Sequence, residues 1–219
     1  MAIVQLQSEF AAALSIAPPE YTWATKPAAA GNSGKRITIT GWMAPPSDWV
    51  SDGTYWLPVD GRAVVHAPEL VNALAQQAAF LPVASVPGWQ MPADMASTPR
   101  LYIEAMVTAE VTASAGNTQQ RLIYVGVQAR QDILGVHVFT STTTGKRFWG
   151  KTYRNSSPAE WMAFTGNAQP FVDTNSITAR ATDAEMSATP IQIRYQGGAS
   201  DGSEIIKFHS FGLAVGLGV

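Results

Sequence analysis

Three histidines are the side chains of this sequence that titrate near neutral pH, so they could act as metal ligands or general bases. They are His66, His137 and His209, and no two have the H-x-x-x-H spacing that brings two imidazoles to one metal ion. His137 and His209 stand among apolar residues of predicted strands, a pattern typical of partnered structural histidines. The sequence also has no G-x-S-x-G nucleophile motif and no cysteine.

Carboxylates are the second group with possible chemistry, because glycoside hydrolysis needs two of them about 5 to 9 Å apart. The C-terminal half contains several, but the sequence does not pair them, and on alternating strands most of them face solvent. Those residues are Glu104, Glu110, Asp132, Glu160, Asp173, Asp183, Glu185, Asp201 and Glu204. No enzymatic activity, no cofactor and no metal site are predicted, and a glycan depolymerase is kept as an alternative.

Charged residues are scarce, at 14% of the 219 residues, whereas 46% are hydrophobic. The formal net charge of −2 argues against a nucleic-acid-binding protein, which would need a concentrated basic surface. No apolar run reaches the roughly 18 residues that a membrane-spanning helix needs. A charge-poor chain exposes apolar patches, and such patches usually mark protein contacts, which favours a homo-oligomer. A monomer with a surface rich in Thr, Ser, Gln and Asn is the alternative.

The chain from Arg100 onward alternates like strands separated by turn residues. Strands are predicted at 101–107, 121–127, 133–139, 147–153, 190–195 and 205–213. A turn is predicted at 142–145 and a loop at 196–203. The fold class that follows is mainly β, with a small α+β domain ahead of an antiparallel β-sandwich or jelly roll.

The chain before Arg100 has a different composition, because it is dense in Pro and Gly and holds five of the seven tryptophans. One helix is predicted at 68–80. Pro68 suits a first helical turn, and Leu70, Val71, Leu74 and Ala78 share one face. Near the start, residues 8–14 form either two turns of helix or part of an arm that orders on docking to a partner.

Three short stretches between residues 37 and 96 resemble the phage tail collar domain family. Residues 39–46 resemble the family's Gly-Trp and Pro-Pro lead-in, residues 56–64 its Asp-Gly turn, and residues 89–95 its aromatic and Pro-Asp segment. The departures are Val59 where cysteine is frequent, an extra segment at 47–54, and the inserted Ala93. The resemblance implies structural roles for Trp42, Trp56, Asp60, Gly61, Trp89, Pro92 and Asp94.

The resemblance implies a virion protein of a phage tail, made in the cytoplasm of the bacterial host. Tail fibres of this kind are usually homotrimers that contact other tail proteins. Residues 1–36 would be an arm that docks on the virion, 37–99 a collar-like domain, and 100–219 a β-sandwich tip. A decoration or baseplate adaptor protein that binds no receptor is the main alternative.

The C-terminal half also resembles the jelly-roll sandwiches of carbohydrate-binding modules. Sugars are often held by an aromatic ring against the apolar face of a pyranose, with amide and charged groups on the hydroxyls. The resemblance implies a host-surface glycan or protein as partner. The residues predicted to contact that ligand are Trp149, Tyr153, Arg154, Asn155 and Trp161. For each tryptophan the alternative is packing in the core of the sandwich.

Overall fold

The computed structural model describes residues 17–70, 73–75, 81–112, 121–127, 130–139, 143–155, 160–165, 177–196 and 205–218. Within these ranges the chain forms strands and two short helices. The elements are β1 (Glu20–Thr22), β2 (Arg36–Thr40), β3 (Ser47–Ser51), β4 (Trp56–Pro58), β5 (Arg62–His66), β6 (Ala73–Ala75), β7 (Leu81–Pro82), α1 (Ala93–Ala96), β8 (Leu101–Thr112), β9 (Arg121–Val127), β10 (Arg130–Phe139), β11 (Thr143–Arg154), β12 (Glu160–Thr165), β13 (Ile177–Thr182), α2 (Asp183–Ala188), β14 (Gln192–Gln196) and β15 (Ile205–Leu217).

The first sheet has the strand order β1-β2-β3-β4. Strand β1 runs parallel to β2, and the β2–β3 and β3–β4 pairs are antiparallel. In β2 the side chains of Ile37 and Ile39 are buried, whereas Arg36, the first residue of the strand, is exposed. This period of two is what the pleat of a strand with one covered face requires.

The second sheet is the largest and has the order β13-β12-β11-β8-β15-β5, with β6 also paired to β15. Its centre is the long antiparallel pair of β8 and β15, which runs from Leu101 opposite Leu217 to Thr112 opposite Ile205 with a shift of register between Phe208 and Ser210. Along β8, the buried side chains of Leu101, Ile103, Ala105 and Val107 alternate with less buried ones. The opposite face, which carries Tyr102, Glu104 and Met106, is called the outer face below.

The third sheet has the order β10-β9-β14-β7. Its buried side chains Val125, Val127, Ile193 and Tyr195 belong to the same core cluster as the buried residues of β8. Two antiparallel sheets thus enclose one hydrophobic core, and the prediction of a mainly β, antiparallel fold is confirmed. Among the described residues, no helix has the length and apolar character needed to cross a membrane.

The helix predicted at 68–80 is wrong wherever the structure describes that segment. Residues 67–70 have no regular structure, and β6 pairs with Ile206–Phe208 of β15. Backbone hydrogen bonding to the long strand β15 outweighs the local helical pattern, because a short isolated helix has little stability of its own. Residues 71–72 and 76–80 lie outside the described ranges.

The strands predicted beyond Arg100 are confirmed as β8, β9, β10, β11, β14 and β15. The turn predicted at 142–145 is wrong over residues 143–145, which open β11 and continue its pairing with β8. The loop predicted at 196–203 is wrong at Gln196, which ends β14, and its residues 197–203 lie outside the described ranges, as do the N-terminal residues 1–16. Sheet pairing crosses both predicted domain boundaries, since β1 pairs with β2 and β5 pairs with β15. The arm and the domain division stay predictions.

Candidate functional site

Four tryptophans that are distant in the sequence pack against one another at the first sheet. Trp23 stacks on Trp42 with ring centroids 5.4 Å apart, and its edge contacts Trp49 at 4.9 Å. Trp42 also contacts Trp49 and Trp89 edge to face, each at 6.0 Å. Such pairs add about 0.5–1.5 kcal/mol each to the burial of the rings. This group is called the tryptophan cluster, and it joins β3 to the segments before β2 and α1.

Asp94, in the first turn of α1, attaches the segment around Trp23 to that helix. Its carboxylate accepts hydrogen bonds from Trp23 Nε1 at 2.8 Å and from Lys26 Nζ at 2.6 Å. The Lys26 ammonium also lies 4.4 Å from the centroid of the Trp23 ring. Burial alone would raise the pKa of Asp94, but the hydrogen bonds from Lys26 and Trp23 outweigh it and lower that pKa.

The other residues of the collar resemblance also occupy structural positions. Trp56 is buried and its Nε1 donates to the Pro27 carbonyl at 2.9 Å. Gly61 donates its N–H to the Pro58 carbonyl at 3.1 Å and has a φ of +71°, so the predicted turn at the exposed Asp60 is confirmed. Pro92 is the N-cap residue of α1.

Two of the residues predicted to bind a ligand contact one carboxylate instead. Arg154 donates two hydrogen bonds to Asp183, from Nε at 2.8 Å and from Nη2 at 2.7 Å. Trp161 Nε1 donates to the same carboxylate at 3.1 Å, and the Trp161 side chain is fully buried. The hydrogen bonds to Asp183 raise the pKa of Arg154. The alternative of core packing therefore holds for Trp161, because no face of its ring is exposed to a ligand.

Tyr153, a third predicted ligand residue, lies on the outer face of the large sheet. It stands opposite Tyr102 in the pairing of β11 with β8, and the two ring centroids are 5.7 Å apart with a tilt of 48°. Both side chains are half-buried. The Lys151 Nζ lies 4.8 Å from the centroid of the Tyr102 ring, within range of a cation–π contact.

Gly216 of the last strand leaves the space in which the Tyr102 ring lies, and Gly218 lies beside Tyr153. A Cβ on Gly216 would collide with the ring of Tyr102, and a Cβ on Gly218 would lie 3.8 Å from Tyr153 Cδ1. The rings therefore lie close to the backbone rather than projecting from it. Tyr102, Tyr153, Lys151, Gly216 and Gly218 are together called the tyrosine face.

A groove of about 330 Å³ begins where the tyrosine face ends, at Gly218. A second groove, of about 350 Å³, extends to Trp23 and Asp94. Tyr55 and Thr98 line both grooves. The first groove is lined by Asp52, Tyr55, Leu57, Thr98, Pro99, Arg100, Leu217 and Gly218. Aromatic and charged side chains that converge on a concave surface are typical of ligand sites.

The two remaining residues that were predicted to bind a ligand are Trp149 and Asn155. The backbone of Trp149 pairs with Met106, but its side chain lies outside what the structure describes. Asn155 follows β11 directly and is exposed. The structure thus brings Tyr153 together with Tyr102, which the sequence reasoning missed, as it missed Tyr55 and Arg100 in the neighbouring groove. The alternation along β8 was a usable signal for Tyr102, since it opposes the buried Leu101 and Ile103.

The described histidines have structural partners. His66 is buried, donates from Nε2 to the Pro87 carbonyl at 2.9 Å, and packs edge to face on Phe211. Burial lowers the pKa of His66, and its hydrogen bond to Pro87 offsets part of that effect. His209 is exposed and lies 3.2 Å from Glu110 Oε2. Over the described ranges, no three His, Asp or Glu side chains are grouped closely enough to hold a metal ion.

Among known proteins, the chain has similarity to solved structures. No protein-family model and no curated protein matches the chain. The chain is similar to the CBM2 module of the evolved Dit of Lactobacillus casei BL23 phage J-1, with a TM-score of 0.34 and 7% sequence identity, over 73% of this chain and 98% of that one.

Proposed function

We propose that this protein is a component of a phage tail that attaches the particle to the host surface by binding a glycan at the tyrosine face. The observation that carries the proposal is the contact between Tyr102 and Tyr153, two half-buried rings side by side on the outer face of the large sheet. Tyrosine presents an apolar ring for the face of a pyranose and a hydroxyl for its polar groups.

The arrangement of the two rings supports binding because little would have to be ordered when a sugar arrives. Gly216 lets the Tyr102 ring lie close to the strand backbone, and Lys151 contacts that ring. A preformed site does not lose side-chain entropy on binding, and that loss costs about 0.5–1.5 kcal/mol for each side chain that must be immobilised.

The tail assignment rests on the sequence resemblance to collar domains. Structural roles of three residues in that resemblance support the assignment, since Trp42 contacts Trp89, Trp56 is buried, and Gly61 forms a turn. We propose that the protein acts without catalysis, assembles as a homotrimer and contacts other tail proteins. Light scattering of the purified protein tests the assembly state, and a mass of one chain would contradict the trimer.

A virion adaptor or decoration protein is the second candidate, and the exposed Met106 on the same outer face favours it. Its side chain is 43% exposed, and an exposed methionine suits contact with another protein. In that case the tyrosine face would be covered by a neighbouring tail protein. Substitutions there would then reduce assembly of particles and leave adsorption of the assembled particles unchanged.

The test compares the double variant Tyr102→Ala, Tyr153→Ala with Met43→Ala. Met43 is also an exposed apolar residue, at 58%, but it lies between β2 and β3 of the first sheet. We expect the double variant to lose binding to host cells and to a glycan array, and Met43→Ala to bind as the unaltered protein does. Retained cell and glycan binding by a folded double variant would contradict the proposal. Loss of capsule or lipopolysaccharide on incubation would instead indicate a depolymerase.

A further inference from the structure

Arg100 has an unusual backbone conformation at the edge of the groove. Its φ is +59°, and it is the one non-glycine residue with positive φ in the part of the chain that the structure describes. Arginine is disfavoured there, because its Cβ crowds the following carbonyl, whereas glycine and asparagine are tolerated. The position lies in the turn between α1 and β8, and its carbonyl accepts the Gly218 N–H at 2.7 Å. A residue kept at a strained position beside a groove suggests that its side chain is used.

The guanidinium of Arg100 has no ion-pair partner among the described residues, and the side chain is exposed. Asp52 lines the same groove, but no ion pair joins it to Arg100. Instead, Asp52 Oδ1 accepts the backbone N–H groups of Thr54 and Tyr55, each at 2.7 Å. One oxygen of this carboxylate is therefore held by its own loop, and no described carboxylate forms an ion pair with the Arg100 guanidinium.

Lys151 is a second cation, and it lies at the Tyr102 ring. Lys151 contacts the Tyr102 ring and forms no ion pair with any described residue. Its cross-strand neighbour Glu104 pairs with Arg62 instead, at 3.2 Å. Gly218 connects the two places, since it bonds to the Arg100 carbonyl and lies beside Tyr153. One cation thus lies at the Tyr102 ring and the other lines the groove that begins at Gly218, although the whole chain has a formal net charge of −2.

We infer that the site binds an acidic saccharide, with a sugar ring on the tyrosine face and a sugar carboxylate on Arg100 in the groove. The inference rests on the proposed function and names the ligand class of that same site. Arginine suits the role, because its planar guanidinium can donate two parallel hydrogen bonds to one carboxylate. Lys151 adds a second positive charge for a neighbouring acidic sugar.

The experiment uses an array of uronate and sialate oligosaccharides beside their carboxyl-reduced, neutral counterparts. We expect the full chain to bind at least one acidic oligosaccharide about tenfold or more tightly than its neutral counterpart, as a charge-assisted hydrogen bond provides. The preference should fall as salt is raised. Binding of neutral saccharides alone, equal binding of both forms, or no binding to either would overturn the inference.

Arg100→Gly and Arg100→Asn test the residue itself without threatening the fold. Both residue types tolerate positive φ, so the melting temperature should stay the same or rise while the preference for the acidic form is lost. Lys35→Ala removes one exposed charge near the first sheet and should keep the preference. An acid preference retained by both Arg100 variants would overturn the inference and leave the proposed function standing. The proposed function itself fails if the variant lacking both tyrosines still binds host cells.

Discussion

Lys26 and Asp94 lie 68 positions apart in the sequence, yet Lys26 Nζ lies 2.6 Å from Asp94 Oδ2. The Lys26 side chain is only 9% exposed, so its ammonium has left most of its water and depends on this carboxylate. Trp23 donates to the other oxygen of the same carboxylate. One exposed acidic residue therefore fastens residues 23–26 to α1, next to the tryptophan cluster.

Asp94→Asn should lower the free energy of unfolding by about 1 kcal/mol, because the amide accepts a hydrogen bond but leaves the buried Lys26 without a counter-charge. The estimate is kept low because the Asp94 side chain is 60% exposed to screening solvent. Urea unfolding at neutral pH measures it, and Asp60→Asn, at an exposed turn, is the control. Because the pKa of Asp94 is lowered below 3.8, its contribution is present above pH 3.8 and is lost as the pH falls further. Equal stability of the two variants would contradict this account.

His66 should make the protein less stable in mild acid. Burial lowers its pKa below the ordinary 6.5, so the unfolded chain binds the proton more readily than the folded one. The free energy of unfolding is then unaffected by His66 above pH 6.5 and falls as the pH drops from 6.5 towards the lowered pKa, by at most about 1.4 kcal/mol per pH unit. His66→Gln should flatten this dependence between pH 6.5 and 5 in urea titrations, whereas His209→Gln should preserve it.

The strands of the large sheet could be predicted because burial on one face imposes a period of two. The segment Leu101–Val107 alternates between core and outer face, and the same alternation places Tyr102 outside. The sequence T-D-A-E at 182–185 also indicates the start of a helix, because Thr182 and Glu185 form a capping box at the start of α2. Local patterns of this kind are decided within a few residues.

The contacts that define the site could not be predicted, because they join residues that are distant in the sequence. Asp94 is a partner of Lys26 only once α1 lies against the first sheet. The same applies to Arg154 and Asp183, which sequence reasoning assigned to a ligand and to solvent. Within the segment 68–80, where a helix was predicted, β6 instead pairs with β15, a strand that lies more than 120 positions further on. In each case a tertiary contact outweighs the local preference.

Trp56→Phe should destabilise the protein more than Trp89→Phe, by about 1 kcal/mol, the net value of one hydrogen bond. Both rings are buried, at 5% and 4% exposure, so the loss of volume is similar. Trp56 Nε1 donates to the Pro27 carbonyl, whereas Trp89 Nε1 has no hydrogen-bond partner among the residues that the structure describes. Thermal and urea unfolding of the two variants provide the comparison. An equal loss in both would mean that the Pro27 hydrogen bond contributes nothing to stability.

Gly216→Ala should displace the Tyr102 ring and weaken glycan binding, because the new Cβ would occupy the place of that ring. The matched control is Gly212→Ala on the same strand, where the nearest atom to the new Cβ is the His66 carbonyl oxygen at an ordinary 3.9 Å. We expect the Gly216 variant to remain folded, since a ring on the half-exposed outer face can swing away, and to bind glycan at least about tenfold more weakly, a loss of about 1.4 kcal/mol. Binding isotherms on the glycan that the unaltered protein prefers, together with melting curves, separate the two effects. If both alanine variants bind equally well, the position of the Tyr102 ring does not determine recognition, and the tyrosine face is not the binding surface.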